Sequence, residues 1–286
     1  MQYPSPRYAW YVVIVLTLVY IFASLDRQIL ILLVGPVRKD LGISDTQISL
    51  LIGIAFAAFY VTFGLPMGRI ADSYSRRGLI AVGFFLWSIF AAGCGLARSF
   101  SELAIMRMGV GVGEGSLAPA AYSLIADYFP PNRRGLAMGV YNMGITLGNG
   151  IALIAGGLVS GWTAGHADYV LPMVGSVRSW QIVFFAIGGT GLLFLPLIAT
   201  VKEPARQEAN REKKTVPFGE VVGYLRANWR AYLSHNLGMT LIFTCAYATI
   251  SWVPTFFIRH HHWQASNTGV RLGTISAIFG SIGIFG

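Results

Sequence analysis

One stretch decides the fold of this chain: Gly64-Leu65-Pro66-Met67-Gly68-Arg69-Ile70-Ala71-Asp72-Ser73-Tyr74-Ser75-Arg76-Arg77-Gly78. It joins two long apolar segments, and its arginines favour the cytoplasmic side, where short loops carry an excess of Lys and Arg. Gly68 leaves room for two backbones to approach closely. We expect Asp72 to accept hydrogen bonds from free N–H groups at a neighbouring helix start. The stretch predicts a short cytoplasmic turn between two membrane helices.

The composition is that of an integral membrane protein. Hydrophobic residues make up 55% of the chain and charged residues 12%, with a mean hydropathy of +0.60, whereas soluble domains have about 25% charged residues. Crossing a ~30 Å hydrocarbon core takes about 20 helical residues. We predict eight such spans, at 9–34, 46–67, 79–97, 103–126, 136–160, 181–201, 231–258 and 270–286. Continuous apolar runs favour helices over the alternating strands of a barrel, so the predicted fold class is an all-α membrane protein.

The distribution of charge predicts the orientation of the chain. A net charge of +9 is compatible with nucleic-acid binding, but the positions of the charges argue against a nucleic-acid partner. With the N-terminus in the cytoplasm, 13 of the 21 Lys and Arg residues fall in inner segments and 6 in outer segments. This bias predicts a multi-pass protein of the cell (inner or plasma) membrane with a cytoplasmic N-terminus.

The longest polar interruption divides the chain into two unequal parts. Residues 202–230 read as a cytoplasmic linker with a short surface helix around Phe218–Tyr224. The linker separates an N-terminal six-helix half, 1–201, from two further helices in 231–286. Because the sequence stops inside an apolar run, we expect a fragment of a longer protein with a partial C-terminal half.

Four charged residues lie deep in the predicted spans: Asp26 and Arg27 in the first, Arg107 and Glu114 in the fourth. A charge at the bilayer centre costs at least ~2.5 kcal/mol, so such residues face the bundle interior and mark ion or substrate paths. Arg107 and Glu114 are seven residues apart and share a helix face, and we expect Arg107 to keep Glu114 paired. Two interpretations remain open, and they are compatible with each other. The charges form either a buried salt-bridge cluster that joins two helices, or a proton relay, or both.

Weaker candidates follow from residue type alone. Polar and aromatic residues that are candidates for lining a cavity between the halves, with packing or interfacial anchoring as the alternative, are Tyr122, Tyr141, Asn142, Asn149, Tyr247 and Trp252. His260, His261 and His262 are adjacent and do not easily converge on one ion, so we expect no metal site. With no nucleotide-binding loop or catalytic arrangement, we expect no cofactor and no enzyme activity.

Two motifs resemble those of the major facilitator superfamily of transporters. Gly68-x-Ile70-Ala71-Asp72-x-x-x-Arg76-Arg77 resembles the loop between helices 2 and 3, although Ser73 and Ser75 replace the usual Arg and Gly, and Arg107-x-x-x-Gly111-x-Gly113 resembles the helix 4 motif. Other runs resemble the Spinster branch: Leu25-Asp26-Arg27-Gln28, Gly111-Val112-Gly113-Glu114, Asp127-Tyr128-Phe129-Pro130-Pro131-Asn132-Arg133-Arg134-Gly135, Ser179-Trp180-Gln181-x-x-Phe184, Glu203-Pro204-x-Arg206 and Trp252-x-Pro254.

This resemblance implies a major facilitator fold, with a six-helix N-terminal half and the first two helices of the C-terminal half. It implies secondary transport by alternating access, with proton coupling through Asp26, Arg27, Arg107 and Glu114. A conformational-gating role falls on the motif residues Gly68, Asp72, Arg76 and Arg77. The expected partners are protons, the lipid bilayer and a small organic or amphiphilic, lipid-like solute, and we expect a monomer. The alternatives are a sugar-acid or organic-anion:proton symporter and, more remotely, a non-transporting membrane receptor.

The predicted topology can be tested by labelling single cysteines in a cysteine-free background. A cysteine at Ser75 or Lys213 should react with a membrane-impermeant maleimide only from the cytoplasm, and one at His261 only from outside. Labelling of positions 213 and 261 from the same face would contradict the eight-span assignment.

Overall fold

A computed structural model describes residues 3–163, 168–171, 175–207 and 218–284. In chain order, the elements are α1 (Pro6–Leu32), α2 (Val34–Leu41), α3 (Asp45–Ile52), α4 (Ile54–Ser73), α5 (Arg76–Cys94), α6 (Phe100–Glu114), α7 (Leu117–Tyr128), α8 (Pro131–Thr163), β1 (Asp168–Leu171), β2 (Gly175–Arg178), α9 (Ser179–Ala199), α10 (Phe218–Ala227), α11 (Trp229–His260) and α12 (Ala265–Gly283). The predicted all-α membrane fold is confirmed.

Among the described residues, six helical segments are long and apolar enough to cross a membrane: Pro6–Leu32, Asp45–Ser73, Arg76–Cys94, Pro131–Val159, Ser179–Ala199 and Trp229–His260. They correspond to six of the eight predicted spans. The other two differ from the prediction. The eighth, predicted at 270–286, is α12, which already begins at Ala265 and whose first turns are polar.

The fourth predicted span, 103–126, is not one continuous helix. Helix α6 ends at Glu114, and α7 begins at Leu117. At the break, the Ser116 hydroxyl donates to the Gly113 carbonyl at 2.8 Å, and the Gly115 N–H donates to the Gly111 carbonyl at 3.1 Å. A continuous helix was wrong here because this glycine-rich turn, with the competing Ser116 hydroxyl, interrupts the regular ladder. The break places Glu114 at the last residue of α6.

Glycines of α6 set its distance from two neighbouring helices. A Cβ on Gly111 would lie 2.5 Å from the Phe56 carbonyl oxygen of α4, and a Cβ on Gly113 would lie 2.7 Å from the Trp87 nitrogen of α5. Only glycine permits such backbone approach. These glycines therefore let α6 pack closely between α4 and α5, and this packing determines the position of the charged residues of α6.

Glycines of the long helix α8 also permit close backbone contacts, on two of its sides. A Cβ on Gly148 would lie 2.6 Å from the Ile21 carbonyl oxygen of α1, and one on Gly150 would lie 2.6 Å from the Gly273 carbonyl oxygen of α12. Small residues at these positions let α8 pack closely against both helices. Helix α12 thereby joins the bundle that α1 and α8 form.

Two features lie outside the predicted spans. Strands β1 and β2 form an antiparallel hairpin that pairs Asp168 with Arg178, and this hairpin was not predicted. Helix α10 confirms the surface helix expected around Phe218–Tyr224. Linker residues 208–217, which include the labelling position Lys213, lie outside the described residues, and the division of the chain at 201/202 and 230/231 stays a prediction.

Candidate functional site

The four charges predicted at bilayer depth meet between α1 and α6, and their long side chains pair across the space that separates the two helices. Arg27 Nε lies 2.8 Å from Glu114 Oε2, and an Arg107 terminal nitrogen lies 2.9 Å from Asp26 Oδ2. The expectation that Arg107 keeps Glu114 paired is wrong. Seven residues of α-helix separate the two along the axis by about 10 Å, which is too far for an ion pair. Each residue reaches α1 instead.

The two pairs differ in their access to solvent. Asp26 and Arg107 are 0% exposed, and Arg107 donates a second bond, of 3.3 Å, to the Asp26 backbone carbonyl. In the other pair Glu114 is 1% exposed, but 24% of the Arg27 side chain is accessible. Within the described part of the chain, neither Glu114 oxygen accepts an aligned hydrogen bond. The Arg27–Glu114 contact is therefore an ion pair with unused acceptor capacity.

Aromatic rings of α4 lie beside both arginines. Phe56 has its ring centroid 5.4 Å from Arg27 Cζ and 5.5 Å from Arg107 Cζ. Tyr60 stacks on Phe56 at 5.4 Å, and its own centroid lies 5.5 Å from Arg27 Cζ. These distances are within the range of cation–π attraction. Sequence reasoning missed Phe56, because an aromatic residue in an apolar helix carries no local signal of a charged neighbour.

Three of the six predicted cavity-lining residues lie together. The Tyr122 hydroxyl donates to Asn142 Oδ1 at 2.7 Å, and the Tyr122 ring meets Tyr141 edge-on at 5.4 Å. Tyr141 is fully buried and stacks on Tyr20 at 4.7 Å. These ring contacts support a packing role for Tyr141, whose hydroxyl group is buried together with the ring.

The other three predicted cavity residues lie apart from that cluster. Asn149 is partly exposed on α8. Tyr247 and Trp252 lie on α11 and line a groove of about 910 Å³ between α11 and the α3–α4 segment. This groove is mostly apolar along its length. The structure therefore divides the predicted cavity residues between an aromatic cluster and a groove.

The motif between α4 and α5 forms a network around a buried arginine. Arg76, 1% exposed, forms an ion pair with Asp127 at the end of α7 and another, of 2.7 Å, with Glu203 beyond α9. The second Glu203 oxygen accepts hydrogen bonds from the Arg77 N–H at 2.9 Å and the Ser75 hydroxyl at 3.0 Å. One arginine thus joins the start of α5, the end of α7 and the segment after α9.

The same segment also contacts the end of α4. The Arg206 guanidinium donates to the Ala71 and Tyr74 carbonyl oxygens, at 2.8 and 3.0 Å. Cations near a helix C-terminus are favoured by the helix dipole. Sequence reasoning found Glu203 and Arg206 only through family resemblance. Their charge, placed directly after a span, is the signal that marks them.

Two expectations for the motif are not met. Asp72 is exposed, and among the described residues it makes no hydrogen bond or ion pair. The N–H groups at the start of α5 are satisfied by Glu203 and by Ser75, whose hydroxyl accepts from Gly78 at 3.1 Å. A Cβ on Gly68 would lie 3.9 Å from its nearest neighbour, Pro119, which is an ordinary contact rather than a close approach.

Known sequences resemble the chain over nearly its whole length. The family model of the Major Facilitator Superfamily matches residues 16–286. An "MFS-type efflux pump" of Mycolicibacterium smegmatis is 26% identical over an alignment of 287 positions, which covers 98% of this chain and 62% of the pump. A "Hexuronate transporter" of Bacillus subtilis is 27% identical over 282 residues, covering 96% of this chain and 62% of the transporter.

A solved structure with the same fold is similar over almost every residue. It is the crystal structure of a bacterial homologue of the human lysosomal transporter Spinster, in an inward-facing and unoccupied conformation. The TM-score is 0.84 at 31% identity, and the match covers 99% of this chain and 62% of that one. The chain thus spans about three fifths of the length of these relatives.

The pH dependence of the network around Arg76 follows from Glu203. Burial raises the pKa of Glu203, but the hydrogen bonds from the Arg77 N–H and from the Arg76 and Ser75 side chains outweigh burial, so its pKa lies below the usual value. A lowered folded pKa contributes stability that is fully present above the unfolded pKa, about 4.3 for Glu, and lost as pH falls through the folded pKa.

We therefore expect Glu203→Gln to lower the free energy of unfolding by about 1 kcal/mol at pH 7, a figure reduced for the partial exposure of this carboxylate. The difference from wild type should shrink as the pH falls below the unfolded pKa of about 4.3 and through the folded pKa. Denaturant titration of the full-length protein in micelles measures it, and Glu220→Gln on exposed α10 is the control. Equal stability of Glu203→Gln and wild type at pH 7 would contradict the network.

Proposed function

This chain belongs to the Major Facilitator Superfamily, and on that basis we propose that it forms part of a secondary transporter that works by alternating access. The predicted major facilitator fold and the predicted resemblance to the Spinster branch are confirmed by the family match and the similar structure. The proposal rests on one observation. Two ion pairs join α1 and α6 at the depth of the bilayer, one with its acid on α1 and the other with its acid on α6.

The charges favour transport over the rival classes. An intramembrane hydrolase needs an acid pair or a nucleophile with its base across two spans, whereas each acid here faces an arginine. The relatives described above are a pump and transporters, which supports transport over a receptor or an enzyme. In transporters of this type, two helical bundles rock around a site near the bilayer midplane.

The proton-coupling role falls first on Glu114. It is buried in a bundle at bilayer depth, and its partner Arg27 retains access to solvent. When Glu114 accepts a proton, Arg27 loses its counter-charge and becomes free to bind an anionic group of the substrate by charge-assisted hydrogen bonds. Loss of the substrate anion returns Arg27 to Glu114 and favours release of the proton. Asp26 and Arg107, fully buried, serve as the fixed pair.

For the substrate we propose a small organic anion, with sugar acids as the preferred class. The accessible Arg27 guanidinium suits a carboxylate, and hydroxyl and amide groups of Tyr60, Tyr122 and Asn142 are available on the neighbouring helices to contact hydroxyl groups. The similarity to a hexuronate transporter supports this class. The substrate would then move together with the proton as a symport.

A second substrate class, amphiphilic and lipid-like, is favoured by a different observation. The groove of about 910 Å³ between α11 and α3–α4 is lined mainly by apolar side chains and contains Tyr247 and Trp252. It would accept a hydrocarbon chain while Arg27 binds an anionic headgroup. The structural similarity to a homologue of Spinster supports this alternative.

We further propose that the cytoplasmic motif controls the conformational cycle of a monomeric transporter in the cell membrane, with its N-terminus in the cytoplasm. The contacts of Arg76 and Arg77 with Glu203 support this role, because they tie α5 to the segment after α9. Asp72 and Gly68 belong to the same motif but would act through contacts with residues outside α5. The bias of Lys and Arg towards the inner segments supports the orientation.

The test of coupling is uptake into proteoliposomes that contain the full-length protein, with and without a pH gradient. We expect Glu114→Gln to abolish gradient-driven accumulation of a radiolabelled hexuronate but to keep exchange or binding, since Gln retains size and hydrogen bonding. Glu102→Gln, on the exposed first turn of the same helix, should accumulate the hexuronate as wild type does. A fluorescent single-chain anionic lipid, assayed in parallel, distinguishes the two substrate classes. Accumulation by Glu114→Gln in response to the gradient would place the coupling elsewhere, with Asp26 as the next candidate.

A further inference from the structure

One uncharged side chain faces both arginines of the buried cluster. Phe56 is 5% exposed, and its ring centroid lies 5.4 Å from Arg27 Cζ and 5.5 Å from Arg107 Cζ. The face of an aromatic ring attracts a cation within about 6 Å, and the attraction grows when the pair is removed from water. A single ring therefore acts on two cations that belong to separate ion pairs.

The position of this ring is determined by backbone packing. The Phe56 carbonyl oxygen is the atom that a Cβ on Gly111 would meet at 2.5 Å, so α4 and α6 are in contact at this level. The ring is also held by Tyr60, which stacks on it at 5.4 Å and faces Arg27 as well. Phe56 thus has little freedom to leave the two guanidinium groups.

An aromatic ring differs from a carboxylate in one respect that matters here, because it does not titrate. When Glu114 takes up a proton, Arg27 loses its counter-charge at bilayer depth, where an unpaired charge is costly. The neutral carboxyl group no longer competes with the ring for the guanidinium, so the ring attracts the cation more strongly in the protonated cluster than in the paired one. The ring therefore reduces the free-energy difference between the paired and the protonated cluster.

The other titratable groups near the cluster do not supply this effect. They are Tyr20 from α1, Tyr60 from α4, Cys94 from α5, Tyr122 from α7, Tyr141 from α8 and Tyr247 from α11. None of these tyrosine and cysteine side chains is a carboxylate that could take the place of a protonated Glu114.

We propose that Phe56 is a positioning residue of the proton-coupling site: its ring holds Arg27 and Arg107 in place while a carboxylate is protonated, and so sets the pH range in which the cluster takes up a proton. The inference rests on the proposed coupling through Glu114. Losing the ring leaves each arginine more dependent on its carboxylate. Protonation then requires a lower pH.

The experiment is an infrared titration of the full-length protein in liposomes without substrate, which follows the C=O stretch of protonated carboxyl groups. The variants Glu114→Gln and Asp26→Asn assign the bands. We expect Phe56→Leu to move the midpoint of the titration to lower pH by about one unit, the size of a desolvated cation–π contact. Phe56→Trp, which keeps an aromatic face, should stay near wild type.

Two further proteins separate the electrostatic role from packing. Incorporation of 3,4,5-trifluorophenylalanine at position 56 keeps the ring but weakens its attraction for cations, and should shift the midpoint in the same direction as Phe56→Leu. Phe63→Leu is the matched control, since Phe63 lies on the same helix, is 37% exposed and stacks on Phe59 instead. It should leave the midpoint unchanged.

The possible outcomes distinguish this inference from the proposed function. A carboxyl titration that neither Phe56→Leu nor the fluorinated ring moves would overturn the role of Phe56 and leave proton coupling intact. A shift with Leu but not with the fluorinated ring would show that the ring acts by volume, which also overturns it. The absence of any titrating carboxyl between pH 4 and 9 would refute the coupling, and the inference with it.

Discussion

The structure depends on the neutralisation of four charged side chains at bilayer depth. A charged side chain at bilayer depth needs a partner inside the protein, and here each charge on α1 finds its partner on α6. The 2.8 and 2.9 Å contacts are made by long side chains that meet across the space between α1 and α6, which themselves make few close backbone contacts. The glycines of α6 bring α4 and α5 to backbone contact, and those of α8 do the same for α1 and α12. Close packing thus positions the helices that carry the ion pairs.

The two ion pairs suggest a division of labour that reconciles the structural and the functional hypotheses. Asp26 and Arg107 are completely buried and share an additional backbone hydrogen bond, as suits a pair that holds helices together. Removal of one member of such a pair costs about 3–5 kcal/mol. Glu114 and Arg27 lie in contact through a single ion pair, and Arg27 reaches solvent. Exchange of proton and substrate is proposed for this second pair.

Sequence reasoning succeeded where a signal is local. Apolar length predicted six of the eight spans, charge at bilayer depth identified Asp26, Arg27, Arg107 and Glu114, and polar residues after the sixth span marked the surface helix α10. It failed where the outcome depends on contacts between helices. The pairing of Glu114 with Arg27, the role of Phe56 and the capture of Arg76 by Glu203 are tertiary, and no spacing along one helix encodes them.

The most direct test of the crossed pairing is a set of double-mutant cycles on the unfolding free energy of the full-length protein, built from Arg27→Gln, Glu114→Gln, Arg107→Gln and Asp26→Asn. Residues in contact show coupling energies of about 0.5–3 kcal/mol, whereas distant residues are additive within about 0.5 kcal/mol. We expect coupling above about 1 kcal/mol for Arg27 with Glu114 and for Arg107 with Asp26, and additivity for Arg107 with Glu114. A coupling energy that is largest between Arg107 and Glu114 would contradict the crossed pairing.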